Sequence, residues 1–251
     1  MKKTTRLFLL IAFSPAFASA AVSTNPYTLP GLAAPTGPIT TALVLQRFEE
    51  IDKNLKSLSA DFRQSVNFEQ SGMAQSLEGT LEYRKPKLLH IEHKRPEPQT
   101  IVCDGNWLWI WRRSTNQVIQ TNLEQWRSSE PSAAGLLDFG NYGELLKRYD
   151  VSVASESAGA GHRNFELALR PKAGAQTGDY LLKLTVSTRN FFPLETELKA
   201  GSMKIRSVLS NIRYNPPMAE ERFQFTPPTG ADVFKNFKPP RLGSDAEGSK
   251  K

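Results

Sequence analysis

The sequence predicts a mainly-β, α+β fold, with about ten antiparallel strands, one amphipathic helix before them and one helical insertion among them. Three observations predict it. Over residues 41–59 apolar residues recur at three- and four-residue steps, and from Ala60 the period changes to two. Turn-forming residues cut the period-two stretch into short runs. Over residues 130–148 the strand rhythm lapses and a largely apolar segment of mixed helix and loop replaces it.

Ahead of the fold, residues 1–20 have the layout of a cleaved export signal. Lys2, Lys3 and Arg6 form a positive start, Leu7 to Ala18 is apolar, and Ala18-Ser19-Ala20 is a small-residue cleavage site. The mature chain is expected to begin at Ala21. The apolar run is too short to span a membrane, and no Cys follows it to carry an N-terminal lipid. Residues 21–40 hold four prolines and few charges, which predicts a flexible leader.

In the helix over residues 41–59, Leu45, Phe48, Ile51, Leu55 and Leu58 make the apolar stripe. Arg47, Glu49, Glu50, Asp52 and Lys53 make the wet face. The strand runs that follow are Phe62–Phe68, Leu77–Tyr83, Leu88–Ile91, Thr100–Cys103, Trp107–Trp111 and Gln117–Thr121. Among the turns between them, Asp104-Gly105-Asn106 is a strong hairpin signal. Pro131 suits a first helical turn, and Leu136, Leu137, Phe139, Leu145 and Leu146 supply the apolar content of the insertion. A second set of strands covers Phe165–Leu169, Tyr180–Ser187, Leu194–Leu198 and Met203–Tyr214. The domain is expected over residues 41–234, with a disordered tail over 235–251.

Composition and motifs narrow the chemistry. The net charge of +7 falls to +4 without Lys2, Lys3 and Arg6, and the excess is scattered, which argues against nucleic acid as a partner. Cys103 is the single cysteine, so no internal disulfide can form, and its apolar strand setting reads as a small buried hydrophobe. His90 and His93 are three apart on a strand and point to opposite faces, so they make no metal pair. The sequence contains no zinc, redox, nucleophile-elbow or phosphate-loop motif, and neither catalysis, metal nor cofactor is expected.

The informative feature is an apolar surplus on strands. Trp107-Leu108-Trp109-Ile110-Trp111 is apolar on both faces, whereas a half-wet antiparallel strand alternates. Protein covering both sides would produce this pattern, and so would a cavity lined for an apolar ligand.

Ordered motifs then carry a family resemblance over residues 45–234. They are Leu58-Ser59-Ala60-Asp61-Phe62-Arg63-Gln64, Gly79-Thr80-Leu81 running to Arg84-Lys85-Pro86, and Ile101-Val102-Cys103-Asp104-Gly105-Asn106-Trp107-Leu108-Trp109. The last is Phe223-Gln224-Phe225-Thr226-Pro227-Pro228-Thr229-Gly230-Ala231-Asp232-Val233. Together they resemble the LolA family of periplasmic outer-membrane lipoprotein carriers. The resemblance implies an open, incompletely closed antiparallel β-barrel of ten to eleven strands with a helical lid. It implies a monomeric carrier in a Gram-negative periplasm. Acylated lipoproteins would be its cargo, an inner-membrane ABC release complex the donor and an outer-membrane lipoprotein receptor the acceptor.

The expected lipid lining is Leu89 and Ile91 on one face, Trp109 and Trp111 on another, with Phe62, Leu81 and Tyr83. The expected lid residues are Leu45, Phe48, Leu136 and Leu137. In the family an Arg before the hairpin Pro ties the closed lid through its backbone carbonyls. The matching position here is Lys85, with Arg84 beside it, and lysine keeps the charge without the planar fork. Three other readings stay open: a carrier of another lipid or glycolipid, a lipoprotein-sensing adaptor, and a hydrolase built on Cys103.

Overall fold

The computed structural model describes residues 35, 37–129, 142–159, 162–172 and 180–235. The export signal, most of the leader, Leu136, Leu137 and the tail beyond Lys235 lie outside them. Helix α1 (Thr41–Asn54) comes first, and the strands β1 (Ser57–Phe68), β2 (Met73–Arg84), β3 (Leu88–Arg95), β4 (Gln99–Asp104), β5 (Trp107–Arg112) and β6 (Gln117–Asn122) follow. Helices α2 (Leu123–Ser129) and α3 (Tyr142–Lys147) precede β7 (Tyr149–Gly159), β8 (His162–Pro171), β9 (Tyr180–Ser187), β10 (Pro193–Ala200) and β11 (Met203–Tyr214). A 3-10 turn (Glu220–Phe223) and β12 (Asp232–Lys235) end the described chain.

The twelve strands form one sheet in the order β12-β6-β5-β4-β3-β2-β1-β11-β10-β9-β8-β7. Two meanders run outward from the central pair, β1 and β11, which are long strands adjacent in space though far apart in sequence. The outermost strands, β12 and β7, do not pair with each other, so the barrel stays open. Every pairing is antiparallel except β12 with β6.

Local chemistry explains the boundaries. The hydroxyl of Thr40 accepts the Leu43 amide at 3.2 Å and starts α1, while Leu55 leaves helical geometry and ends it. The helix is therefore shorter than its expected span, and Leu58 belongs to β1. In the β4–β5 hairpin the Asp104 carboxylate accepts the amides of Asn106 at 2.9 Å and Trp107 at 2.8 Å, and Gly105 takes φ +99. The Asn122 side chain accepts the amides of Glu124 and Gln125 and caps α2. Gly79 is required by a close approach: a Cβ there would lie 2.0 Å from the Glu92 carbonyl oxygen and 2.9 Å from the Phe62 ring.

Two strands go beyond the sequence pattern. β7 is an edge strand outside the expected set, although Tyr149, Val151 and Val153 alternate with Asp150 and Ser152 and face inward beside Leu169 and Leu167. β12 is four residues long, runs parallel to β6, and takes in Lys235 from the expected tail. At the other end Ile39 is buried and its amide donates to Glu156, so the fold begins within the expected leader.

Candidate functional site: an apolar inner face beneath two helices

Directly opposed residues of an antiparallel pair share a face, so the register defines the inner wall. One belt runs Thr121, Leu108, Cys103, Leu89, Tyr83, Leu58 and Tyr214, all buried. The next runs Ile119, Ile110, Ile101, Ile91, Leu81 and Ala60, in which Ile101, Ile110 and Ile119 are only half-buried. The third turns polar, with Gln117, Arg112, Gln99 and His93, before it reaches Gly79, Phe62 and Leu209. Across β11 to β7 the same face continues as Ile205, Leu198, Leu182, Leu169 and Val151. The result is a continuous hydrocarbon wall that is covered at one end and partly open toward a polar rim.

The cover is helical. Val44, Phe48, Ile51 and Leu55 form the buried stripe of α1. Leu45, expected on the lid's apolar face, is instead 39% exposed, because the stripe that meets the wall passes through Val44, four residues before Phe48. From α3, Tyr142 and Leu146 join the same core, with the Tyr142 ring 5.1 Å from that of Phe48 and 6.0 Å from that of Phe192. Burial pushes the Tyr142 hydroxyl well above its usual range, with the neighbouring Tyr214 hydroxyl adding to the shift. Phe191 and Phe192 reach this core from the β9–β10 turn, where Phe191 adopts φ +53. That is a costly conformation for a bulky residue, and it is held by the Phe165 ring and by the Arg47 guanidinium.

One junction fastens the two helices to the sheet. The Lys85 ammonium, in the β2–β3 turn, donates to the main-chain oxygen of Asp52 in the last turn of α1. The Asp52 carboxylate accepts the amides of Tyr142 at 2.8 Å and Gly143 at 2.6 Å, which start α3. Burial pushes the Lys85 ammonium below its usual range, and the charge of Asp52 partly offsets this.

Arg84, expected beside Lys85 at the tether, faces the opposite side of the sheet. It donates to the Met218 carbonyl at 3.3 Å and lies 5.3 Å from the Phe223 ring centre. Trp109 and Trp111, expected in the lining, also lie on that outer face, because Leu108 and Ile110 take the inward positions of β5. Phe225 covers them, at ring distances of 5.6 and 6.3 Å. The Phe223-to-Val233 motif is therefore a strap over the outer face. Arg222 pins it to Glu82 at 2.7 Å, Gly230 turns it at φ +74, and β12 anchors it on β6.

The structure thus brings Phe62, Leu81, Tyr83, Leu89 and Ile91 onto one wall and Phe48 over it. Sequence reasoning missed Val44, Ile101 and Ile110, which periodicity contains. It also missed the capping role of Asp52, which no local signal carries because its partners are 90 and 91 residues away. Among the described residues no group of three or more His, Cys, Asp or Glu could hold a metal ion. No described helix is long and apolar enough to cross a membrane.

Comparison with known proteins gives a consistent answer. A solved structure of an uncharacterized conserved protein from Thermus thermophilus superposes with a TM-score of 0.51 at 13% identity. The match covers 77% of this chain and 97% of that one, and it shows the fold. An outer-membrane lipoprotein carrier protein of Dechloromonas aromatica is 32% identical over 72% of this chain and 82% of its own length. One of Chromobacterium violaceum is 31% identical over 81% of this chain and 91% of its own. The profile of the LolA family, described as outer membrane lipoprotein carrier protein, matches residues 53–226. With that much of the sheet and both strands of its central pair inside the match, the chain belongs to the LolA family of outer membrane lipoprotein carrier proteins.

Proposed function

We propose that the protein is a periplasmic carrier that shelters the acyl chains of lipoproteins against this inner wall while they pass from the inner to the outer membrane. The observation that carries the reading is the continuous apolar wall beneath helices held by a few polar contacts, among them Lys85 with the Asp52 carbonyl and Asn215 with that of Asn54. Each acyl CH₂ kept from water is worth roughly 0.8 kcal/mol, so a multiply acylated anchor needs such a shelter to cross an aqueous space. In the closed form the helices bury the upper wall themselves. Cargo would displace α1 and α3 from the covered end of the wall, with its chains running on toward the half-buried Ile101, Ile110 and Phe62, and the helix contacts would be exchanged for contacts with hydrocarbon.

In this reading the lining is Phe62, Leu81, Tyr83, Leu89, Ile91, Ile101 and Ile110. Lys85 is the lid tether, and the protein works by binding, without catalysis. Its partners would be an inner-membrane ABC release complex and an outer-membrane receptor, which it meets as a monomer. Purification from the periplasm followed by mass spectrometry of bound species tests the proposal. Co-purified acylated lipoproteins are expected. Free lipid or glycolipid alone would make it a carrier of different cargo, and recovery without any amphiphile from cells rich in lipoproteins would overturn the reading.

A further inference from the structure

Thr121 lies in the most deeply covered belt of the inner wall, opposite Leu108 and in line with Cys103 and Leu89. It is 1% exposed, and its hydroxyl oxygen is sealed without a hydrogen-bond partner. On the other strands, the polar atoms in that condition, Nδ1 of His90 and Oδ1 of Asn164, belong to outward-facing positions, where Leu89 and Phe165 take the inward ones. Among the described residues, Thr121 thus presents an unpartnered buried oxygen to the face read here as the lipid-binding wall. Leu123 is buried nearby in the chain, and Trp126 is half-buried against the same core.

An orphaned buried hydroxyl is a net loss to the folded protein. Valine has the same branched shape and suits a strand equally well, so packing alone favours valine here. Hydrocarbon tails offer a hydroxyl nothing. The ester and amide groups that join acyl chains to their headgroup offer a carbonyl acceptor at the headgroup end of every chain. We infer that Thr121 donates a hydrogen bond to an ester or amide carbonyl of the acylated cargo, and so fixes how deep the chains run along the wall. This rests on the carrier reading above and adds a specificity-determining residue to it.

The test uses the full mature chain and two synthetic probes, a diacylglyceryl-cysteine peptide with ester linkages and its dialkyl ether counterpart. T121V is expected to lose about tenfold in affinity for the ester probe, to bind the ether probe as the wild type does, and to melt at a higher temperature. T121S, which keeps the hydroxyl, should recover the ester preference. Equal loss for both probes, or no loss for either, would overturn the role of Thr121 and leave the carrier reading in place. Failure of the wild type to bind either probe would overturn both.

Discussion

Lys85 donates its ammonium proton to the main-chain oxygen of Asp52, across the gap between the β2–β3 turn and the end of α1. That bond uses the lysine side chain but only the backbone of its partner, so the two residues can be tested separately. Removing the side chain in Lys85→Ala deletes a charge-assisted contact worth on the order of 1.5–3 kcal/mol. The expected outcome is faster amide hydrogen exchange in α1 and faster uptake of an acylated probe, with the sheet amides unchanged. Slower uptake would show that the tether does not oppose opening.

Asp52→Ala leaves the carbonyl that Lys85 uses and deletes the acceptor for the Tyr142 and Gly143 amides. Loss of such a cap typically costs about 0.5–2 kcal/mol. Exchange is expected to rise over residues 142–147 while α1 keeps its protection. Equal loosening of both helices would show that they move as one body.

A charge placed on the wall should block hydrocarbon without unfolding the sheet only where the wall is half-buried. Ile110→Glu meets that condition, and it is expected to abolish recovery of acylated cargo while the far-ultraviolet circular dichroism of the sheet is retained. Leu89→Glu is expected to unfold the protein instead, since Leu89 is buried in a central strand beneath the helices. Normal cargo recovery by Ile110→Glu would remove Ile110 from the lining.

Gly79→Ala drives a methyl group to 2.0 Å from a main-chain oxygen that is held in its ladder. A loss of about 1–3 kcal/mol is expected in urea unfolding, as for other overpacked sites. A midpoint equal to wild type would mean that β3 yields at Glu92 more readily than a paired strand should.

His93 faces the rim beside the Phe62 ring, 5.5 Å away between centres. Burial pushes its imidazole below the ordinary value of 6.5, with Glu92 opposing. The folded chain therefore binds this proton less readily than the unfolded chain. Stability is unaffected above pH 6.5 and falls as the pH drops through that value. Melting curves at pH 7.5 and pH 5 should show a smaller acid loss for His93→Gln than for the wild type; equal losses would place the acid sensitivity elsewhere.

Much of this architecture is readable from residue order, and the unreadable parts share a cause. Alternation puts Leu89 and Ile91 on one face of β3 and Leu81 and Tyr83 on one face of β2, because period two is a local property. Which side of β5 is the inside is not local. Trp107-Leu108-Trp109-Ile110-Trp111 is apolar on both faces, and only the strap carrying Phe225 decides that the tryptophans look outward. The same holds for β12, whose four residues become a strand through contact with β6, and for Asp52, which local pattern assigns to a solvated face. The choice between Leu45 and Val44 differs: the spacing to Phe48 allows either, and the direction from which β7 and α3 approach the helix selects Val44.

The strand that completes the β6 edge is also the last one in the described sequence. Until residues 216–235 have emerged and wrapped, β6 exposes an unpaired backbone beside a tryptophan-rich surface, the combination that invites edge-to-edge association between copies. A nascent or C-terminally clipped chain would thus hold a nearly complete sheet and still be prone to aggregate. Protecting β6 with a strap from so late in the chain leaves that edge bare until the strap has been made.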